Sequence, residues 1–551
     1  MSVASQQYRQ STGRPVTMGT RAMVSTSHYL ASAAGFSMLD RGGSAVDALI
    51  AANATLAVVY NHMAGLGGDL FAQVWDPKTS KVEALNGSGR SGERVTIDAY
   101  RSKGWDKIHP RGPLAANTVP GAVDAWKQLH QRYGKLEWKE LFRPAIQHAR
   151  GFPISQKFRD YIEQYSDMLQ GFETASSILL PGGRAPRAGA ILRQPDLASS
   201  LSLVAEKGSD VFYRGELAEK IVNGLKQAGG LLTEDDFASH SSDWVEPLRT
   251  NYKGYEVTEL PPNTQGVATL MILNLIEAMD LQEIGEGTAD YYHLMAEAVK
   301  LAFADRDRWV TDPATLDIPY DRLLSKEYAA ERRRMIDMNR ATPEGDIQPG
   351  ATEPAMAGHG GGDTVYMCAA DEDGLCVSLI QSVYFEFGSA FIPPGTGILL
   401  QNRGSFFKLD PDHPNALAPR KRTFHTIIPA MALKDGKPAL LFGTMGGEGQ
   451  PQTQTAMLTR MADFGFNVQE AIEAPRWLYG RTWGESSRSL KLEGRIPDGI
   501  VTELKRRGHD VQMMEDWSQK MGHAQAIWID REQGVLHGGA DPRGEGLAIG
   551  H

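Results

Sequence analysis

A glycine run that leads straight into a strand-like segment opening on threonine constrains this chain more than anything else in it: Gly360-Gly361-Gly362-Asp363-Thr364-Val365-Tyr366-Met367-Cys368-Ala369-Ala370. An internal threonine hydroxyl is a poor nucleophile. If the Asp363–Thr364 bond is broken, the freed α-amino group sits beside the hydroxyl and serves as its base. The reference pKa of such an amine is ~8, so part of it is unprotonated at neutral pH without help from a histidine or a buried acid. Read locally, the same residues also describe a flexible loop before an ordinary strand. The chain continues through the turn signal Asp371-Glu372-Asp373-Gly374 into the apolar run Leu375–Ser382, which predicts an antiparallel hairpin.

Other motifs choose between the two readings. Gly42-Gly43-Ser44-Ala45-Val46-Asp47-Ala48, Gly65-Leu66-Gly67-Gly68-Asp69, Thr118-Val119-Pro120-Gly121-Ala122 and Pro261-Pro262-Asn263-Thr264-Gln265-Gly266 precede the glycine run, as does Ala302-Phe303-Ala304-Asp305-Arg306. Gly397-Ile398-Leu399-Leu400-Gln401-Asn402, Gly446-Gly447 and Asp541-Pro542-Arg543 follow it. Together with the hairpin they resemble, in order and over nearly the whole chain, the γ-glutamyltransferase family of N-terminal nucleophile hydrolases. The resemblance implies an α+β fold, a four-layer αββα sandwich in which two antiparallel sheets stack between helices. It further implies a precursor that cuts itself into a large subunit, residues 1–363, and a small subunit, 364–551, both parts of one domain. Thr364 is then the nucleophile, Ser382 the hydroxyl that bonds to it, and Gly446 and Gly447 the turn whose N–H groups hold the oxyanion. Backbone donors of that kind contribute about 3 kcal/mol each to an acyl-transfer transition state.

Substrate recognition departs from the γ-glutamyl pattern. The family's ligands for a substrate ammonium fall here on Tyr384, Arg403 and Phe406, so the acid among them is replaced by phenylalanine. Its carboxylate-binding arginine aligns with Ser88, with Arg90 two residues away, and its paired serines align with His425 and Thr426. The segment Lys408–Arg420 is short for a lid, which predicts an open pocket. The runs Ile380–Gly388, Leu400–Phe407 and Gly443–Gln450 are similar to those of the bacterial oxamate amidohydrolase and glutathione-hydrolase-like branch. That likeness implies a small carboxylate-bearing amide as substrate, with Arg403 as its anchor and Tyr384, His425, Thr426 and Arg90 around it. A γ-glutamyl hydrolase or transferase acting on glutathione, a cephalosporin-type acylase, and a non-catalytic small-molecule binding protein on the same fold are the alternatives.

Composition excludes other classes. Hydrophobic residues at 41% and charged residues at 23% suit a globular enzyme, and a net charge of −10 disfavours a nucleic-acid backbone binder. No His-Glu-x-x-His, Cys-x-x-Cys or phosphate-binding glycine loop occurs, so neither a metal nor another cofactor is expected. The expected partners are the two subunits themselves and a small-molecule amide, with no nucleic acid and no membrane. Met1–Met18 lacks the basic and apolar regions of a secretory leader, Ala45–Tyr60 is too short and polar to span a bilayer, and the only cysteines, Cys368 and Cys376, sit out of register in the predicted hairpin. A cytoplasmic location is expected.

Apolar spacing predicts helices at Ala45–Tyr60, Gly121–Tyr133, Trp138–Arg150, Gly215–Ala228, Thr288–Val310 and Thr453–Phe464. Strands are expected at Leu70–Trp75, Lys81–Asn86, Tyr255–Glu259, Val365–Ala370, Leu375–Ser382, Ala439–Gly443 and Ala524–Asp530. Active preparations are expected to contain two polypeptides of roughly two-thirds and one-third of the mass, the smaller beginning Thr-Val-Tyr-Met, and Thr364→Ala to remain one inactive chain. Amino-terminal sequencing and an activity assay check both; a cut elsewhere contradicts the reading.

Overall fold

Alternation along one strand sets the layers. In a computed structural model, which describes residues 12–343, 346–350, 363–480 and 489–551, the strand Asp363–Ala370 sends Val365, Met367 and Ala369 into one apolar cluster. Tyr366, Cys368 and Ala370 enter another. A strand that is apolar on both faces has to be covered on both. The odd-numbered side packs under helices that include Tyr29–Asp40, Ala45–Val59 and Ala122–Tyr133. The even-numbered side meets Met431, Leu441 and Ile527 of a second sheet. Beyond that sheet, Val257, Ala432, Leu440 and Phe442 pack on the helices Gly266–Ile276, Ala289–Trp309 and Gly449–Ala462. The order is helix, sheet, sheet, helix, the αββα arrangement of an α+β fold.

Each sheet has seven strands and is antiparallel throughout. The first runs Leu547–Gly550, Met23–Thr26, Asp363–Ala370, Cys376–Tyr384, Asp69–Asp76, Lys81–Gly87, Asp243–Val245. The second runs Thr17–Gly19, Val535–Ala540, Ala524–Asp530, Lys437–Thr444, Ala430–Lys434, Tyr255–Glu259, Leu248–Tyr252. Both sheets therefore interleave strands that precede Thr364 with strands that follow it. Gly360–Gly362 lie outside the described residues. Cys368 faces Ser378 and Cys376 faces Ala370, out of mutual register, and both thiols are free and buried.

Tyr255–Glu259 and Ala524–Asp530 form at their expected bounds. Two helices differ. Trp138–Arg150 breaks at Phe142 into Trp138–Leu141 and Arg143–Arg150, because Pro144 lacks the N–H that would continue the ladder and its ring clashes with the preceding turn. The helix expected at Thr453 begins at Gly449 and ends at Ala462, with Pro451 in its first turn, where a missing N–H costs nothing.

Gly443 of the second sheet lies against the ring of Tyr366 of the first. A Cβ at Gly443 would stand 2.4 Å from Tyr366 Cδ2, so Gly443→Ala is expected to destabilise the fold by about 1–3 kcal/mol through overpacking. Urea or thermal unfolding beside the unmodified protein checks this; an unchanged midpoint contradicts it.

Candidate active site

Thr364 is 1% exposed, and among the described residues its hydroxyl has no hydrogen-bond partner, so the bond expected from Ser382 is not made although the two residues face each other. The hairpin pairs Asp363 with Tyr384 and Val365 with Gln381, so Ser382 and Val383 together face the single residue Thr364. That bulge frees the backbone of Val383 to donate to Met63 O (3.1 Å). Ser382 is tied on its other side to Asp69, the first residue of the neighbouring strand. Here Gly68 has a reason to be glycine, since a Cβ would lie 2.3 Å from Ser382 O.

The strand Lys437–Thr444 ends, one residue past the Tyr366 contact at Gly443, in the turn Met445–Glu448. Gly446 has φ 121° and Gly447 φ 55°, the left-handed region that glycine tolerates. Three successive carbonyls of this turn point into protein. Met445 O accepts from Thr444 Oγ1 (2.7 Å), Gly446 O from Gly449 N (2.9 Å), and Gly447 O from Gln265 Nε2 (2.9 Å). In a trans peptide the C=O of one residue points opposite the N–H of the next, so the N–H groups of Gly446 and Gly447 face away from the partners of Met445 O and Gly446 O. Neither has an acceptor among the described residues.

Arg403 is fully buried. It donates from Nη2 to Ser382 Oγ (3.3 Å) and from Nη1 to Thr426 Oγ1 (3.4 Å), and its guanidinium stacks 4.2 Å from the ring centroid of Tyr384. Its Nε is buried without a partner, and among the described residues it forms no ion pair. Burial pulls its pKa down to about 10, which leaves it cationic at neutral pH. Tyr384, itself at φ 82°, contacts Phe406, which contacts Phe424. An aromatic wall therefore stands where an acid would be needed to face an ammonium.

His425 lies beside this group. Its Nε2 is 2.8 Å from Asp69 Oδ2, and its Nδ1 is 2.9 Å from Thr423 O. Burial, and then the charge of Arg403, hold its pKa below the usual value, against the pull of Asp69. Asp69 also joins three loop segments, since its Oδ1 accepts from Gly89 N (3.0 Å), Gly121 N (3.1 Å) and Gln401 Nε2 (3.0 Å).

The structure thus brings Thr364, Ser382, Tyr384, Arg403, His425 and Thr426 together. Arg90 is not among their contacts. Its side chain is 40% exposed and pairs with Asp243 (3.3 Å), which also binds Arg422 (2.6 Å). The turn after Ser88 carries Arg90 outward even though Ser88 itself is buried. The pocket is also closed where an open one was expected: Ser382, Tyr384, Arg403 and Phe406 are all 5% exposed or less. The short segment after Phe407 folds back on itself, and Asn415 pins it to Phe406 O (3.1 Å) and Thr423 Oγ1 (3.0 Å). Gln265, Arg306, whose Nη1 donates to Gln265 Oε1 (2.9 Å), Asn263, whose Nδ2 lies 3.1 Å from His425 Nδ1, and Asp69 are site residues to which sequence reasoning gave no role, although each falls inside a motif it had singled out.

Among the described residues one group has the spacing of metal ligands, His293, Glu297 and His509. Its atoms are already matched. His293 Nδ1 lies 2.8 Å from His509 Nε2, and Lys300 Nζ lies 2.7 Å from Glu297 Oε1. No described helix is long and apolar enough to cross a membrane.

The model of the gamma-glutamyltranspeptidase family matches residues 31–551. The chain belongs to that family. It is 48% identical over 534 residues to the glutathione hydrolase-like YwrD proenzyme of Bacillus subtilis, covering 97% of this chain and 99% of the relative. It is 41% identical over 541 residues to the oxamate amidohydrolase proenzyme of Klebsiella pneumoniae, covering 97% and 99%. Among solved structures it is similar to the cephalosporin acylase from Bacillus halodurans, with a TM-score of 0.91 at 38% identity over 100% of this chain and 99% of that one. The protein is accordingly an enzyme of the N-terminal nucleophile hydrolase type.

Gly447→Val would place a β-branched residue at φ 55°. It is expected to turn or displace the N–H groups of this turn and to lower turnover about a hundredfold or more. Steady-state kinetics on processed, folded variant checks this; normal turnover would make the turn merely structural.

Proposed function

We propose that this family member is a self-processing amidohydrolase of small carboxylate-bearing amides, oxamate being the model substrate. The observation that carries the reading is Arg403, a buried guanidinium with no carboxylate partner among the described residues, bonded to Ser382 and walled by Tyr384 and Phe406. Burying an ion costs several kcal/mol unless an opposite charge compensates it, and a substrate carboxylate supplies that charge. Phe406 offers no counter-charge to the ammonium of a γ-glutamyl group. The similarity to an oxamate amidohydrolase proenzyme supports the same substrate class.

In this mechanism the precursor is cut before Thr364 into 1–363 and 364–551. The Thr364 hydroxyl attacks the amide carbon while its own α-amine takes the proton. The N–H groups of Gly446 and Gly447 hold the oxyanion, and Ser382 steadies the nucleophile. Collapse of the tetrahedral intermediate breaks the C–N bond. The ammonium returns its proton to the leaving nitrogen, so that ammonia departs from oxamate. Water, deprotonated by the same amine, then attacks the ester and releases the acid. Arg403 anchors the carboxylate, with Tyr384, Thr426 and His425 shaping its surroundings.

The discriminating comparison is oxamate against oxamide, its uncharged counterpart, and against a γ-glutamyl anilide. Oxamide lacks the carboxylate and the anilide brings an ammonium with no counter-charge; an unmade charge-assisted contact costs about 1.5–3 kcal/mol, so kcat/KM on oxamate is expected to exceed that on the other two about tenfold to a hundredfold. Arg403→Met is expected to remove that preference and leave self-cleavage intact. A γ-glutamyl anilide turned over as well as oxamate would refute the substrate assignment and leave the threonine mechanism standing.

A further inference from the structure

The oxyanion turn and the Arg403 pocket are joined by one side chain. Gln265 is fully buried, and its Nε2 donates both to Gly447 O (2.9 Å) and to Thr426 O (2.6 Å). Its Oε1 accepts from Arg306 Nη1 (2.9 Å). A guanidinium only donates, so Arg306 fixes which end of the amide faces it and leaves the NH2 group for the two carbonyls. Arg306 is itself immobilised. It is 1% exposed, bonds Glu448 Oε1 (2.9 Å) and Asp307 Oδ1 (2.6 Å) through Nη2, and stacks 3.8 Å over the ring of Phe303. Glu448 is the residue after Gly447, so the arginine grips the turn directly as well as through Gln265. On the other side, Gln265 N donates to His425 O (3.0 Å), and the Thr426 hydroxyl is one of the two that receive Arg403.

We infer that Gln265, oriented by Arg306, is the positioning residue that couples the oxyanion turn to the substrate-carboxylate subsite, so that carboxylate binding and turnover depend on one shared amide. The inference rests on the amidohydrolase reading above. Gln265 touches no reacting atom. It sets the direction of the Gly447 carbonyl, and through Thr426 the height of Arg403. Moving it disturbs both subsites together, whereas substitution at Gly447 or at Arg403 disturbs one.

The test is Gln265→Glu, purified as the processed two-chain enzyme. The variant keeps the chain length and the bond to Arg306 but turns an oxygen toward two carbonyls that need a donor. With the melting temperature close to that of the parent, kcat on oxamate is expected to fall about tenfold to a hundredfold, KM to rise severalfold, and the preference for oxamate over oxamide to shrink by about tenfold or more. Arg306→Lys retains a positive charge beside Glu448 but loses the fork that reaches Gln265. It is expected to show the same three changes at smaller amplitude, and it carries the test if Gln265→Glu does not mature. A purely structural role lowers the melting temperature without touching the oxamate-to-oxamide ratio. The inference is overturned if a folded variant of either residue keeps that ratio, whatever happens to kcat. If the parent enzyme prefers a γ-glutamyl amide, the substrate assignment fails by itself. The coupling is then read as joint changes in kcat and KM on that substrate, which also carries a carboxylate.

Discussion

Everything at this site hangs on the last step of one hairpin. Where Thr364 meets the bulge at Ser382 and Val383, the sheet places two hydroxyl residues against each other at the end of a strand buried on both faces. Burial makes the position rigid, since neighbours on two sides fix a core residue far more tightly than a loop does. Tyr366, two residues on, packs against Gly443 of the opposing sheet. The strand that carries Thr364 and the strand that leads to the Gly446-Gly447 turn therefore hold each other in place, and a shift in either sheet would misalign both. Because each sheet draws strands from both sides of Thr364, a cut before that residue leaves two chains that remain interleaved.

The electrostatic design is a cation awaiting an anion. Arg403 has hydroxyls and an aromatic face for company, and Asp69, which lies near enough to be felt electrostatically, spends its oxygens on His425, Gln401 and two glycine amides. In a low-dielectric pocket such an imbalance is costly to the empty enzyme and favourable to a substrate carboxylate. The same imbalance works against an ammonium-bearing substrate, for which Phe406 supplies no acid. Discrimination of this kind comes from what is missing as much as from what is present.

Much of this was legible in the sequence because it is local. The hairpin announced itself by two apolar runs around Asp371-Glu372-Asp373-Gly374, the glycine at 68 marks a close backbone approach, and those at 446–447 mark a positive φ that glycine tolerates. Short edge strands such as Thr17–Gly19 and Leu547–Gly550 carry too few residues for a period to show. Arg90 illustrates a different limit: two residues from Ser88 along the chain, it is turned out to Asp243 by the backbone between them. Gln265 was invisible as a functional residue because its two acceptors lie 161 and 182 positions away and its arginine 41 positions away. Only the stacking of the layers brings them into one network.

The central claim is that Thr364 forms the covalent intermediate, and trapping that intermediate tests it most directly. Processed enzyme mixed with excess oxamate and quenched in acid within the first turnovers should show, by intact mass, an oxalyl adduct confined to the chain that begins at Thr364. Fragmentation should place it on that first residue. Turnover with no adduct on either chain, or with an adduct on any other residue, would contradict the account.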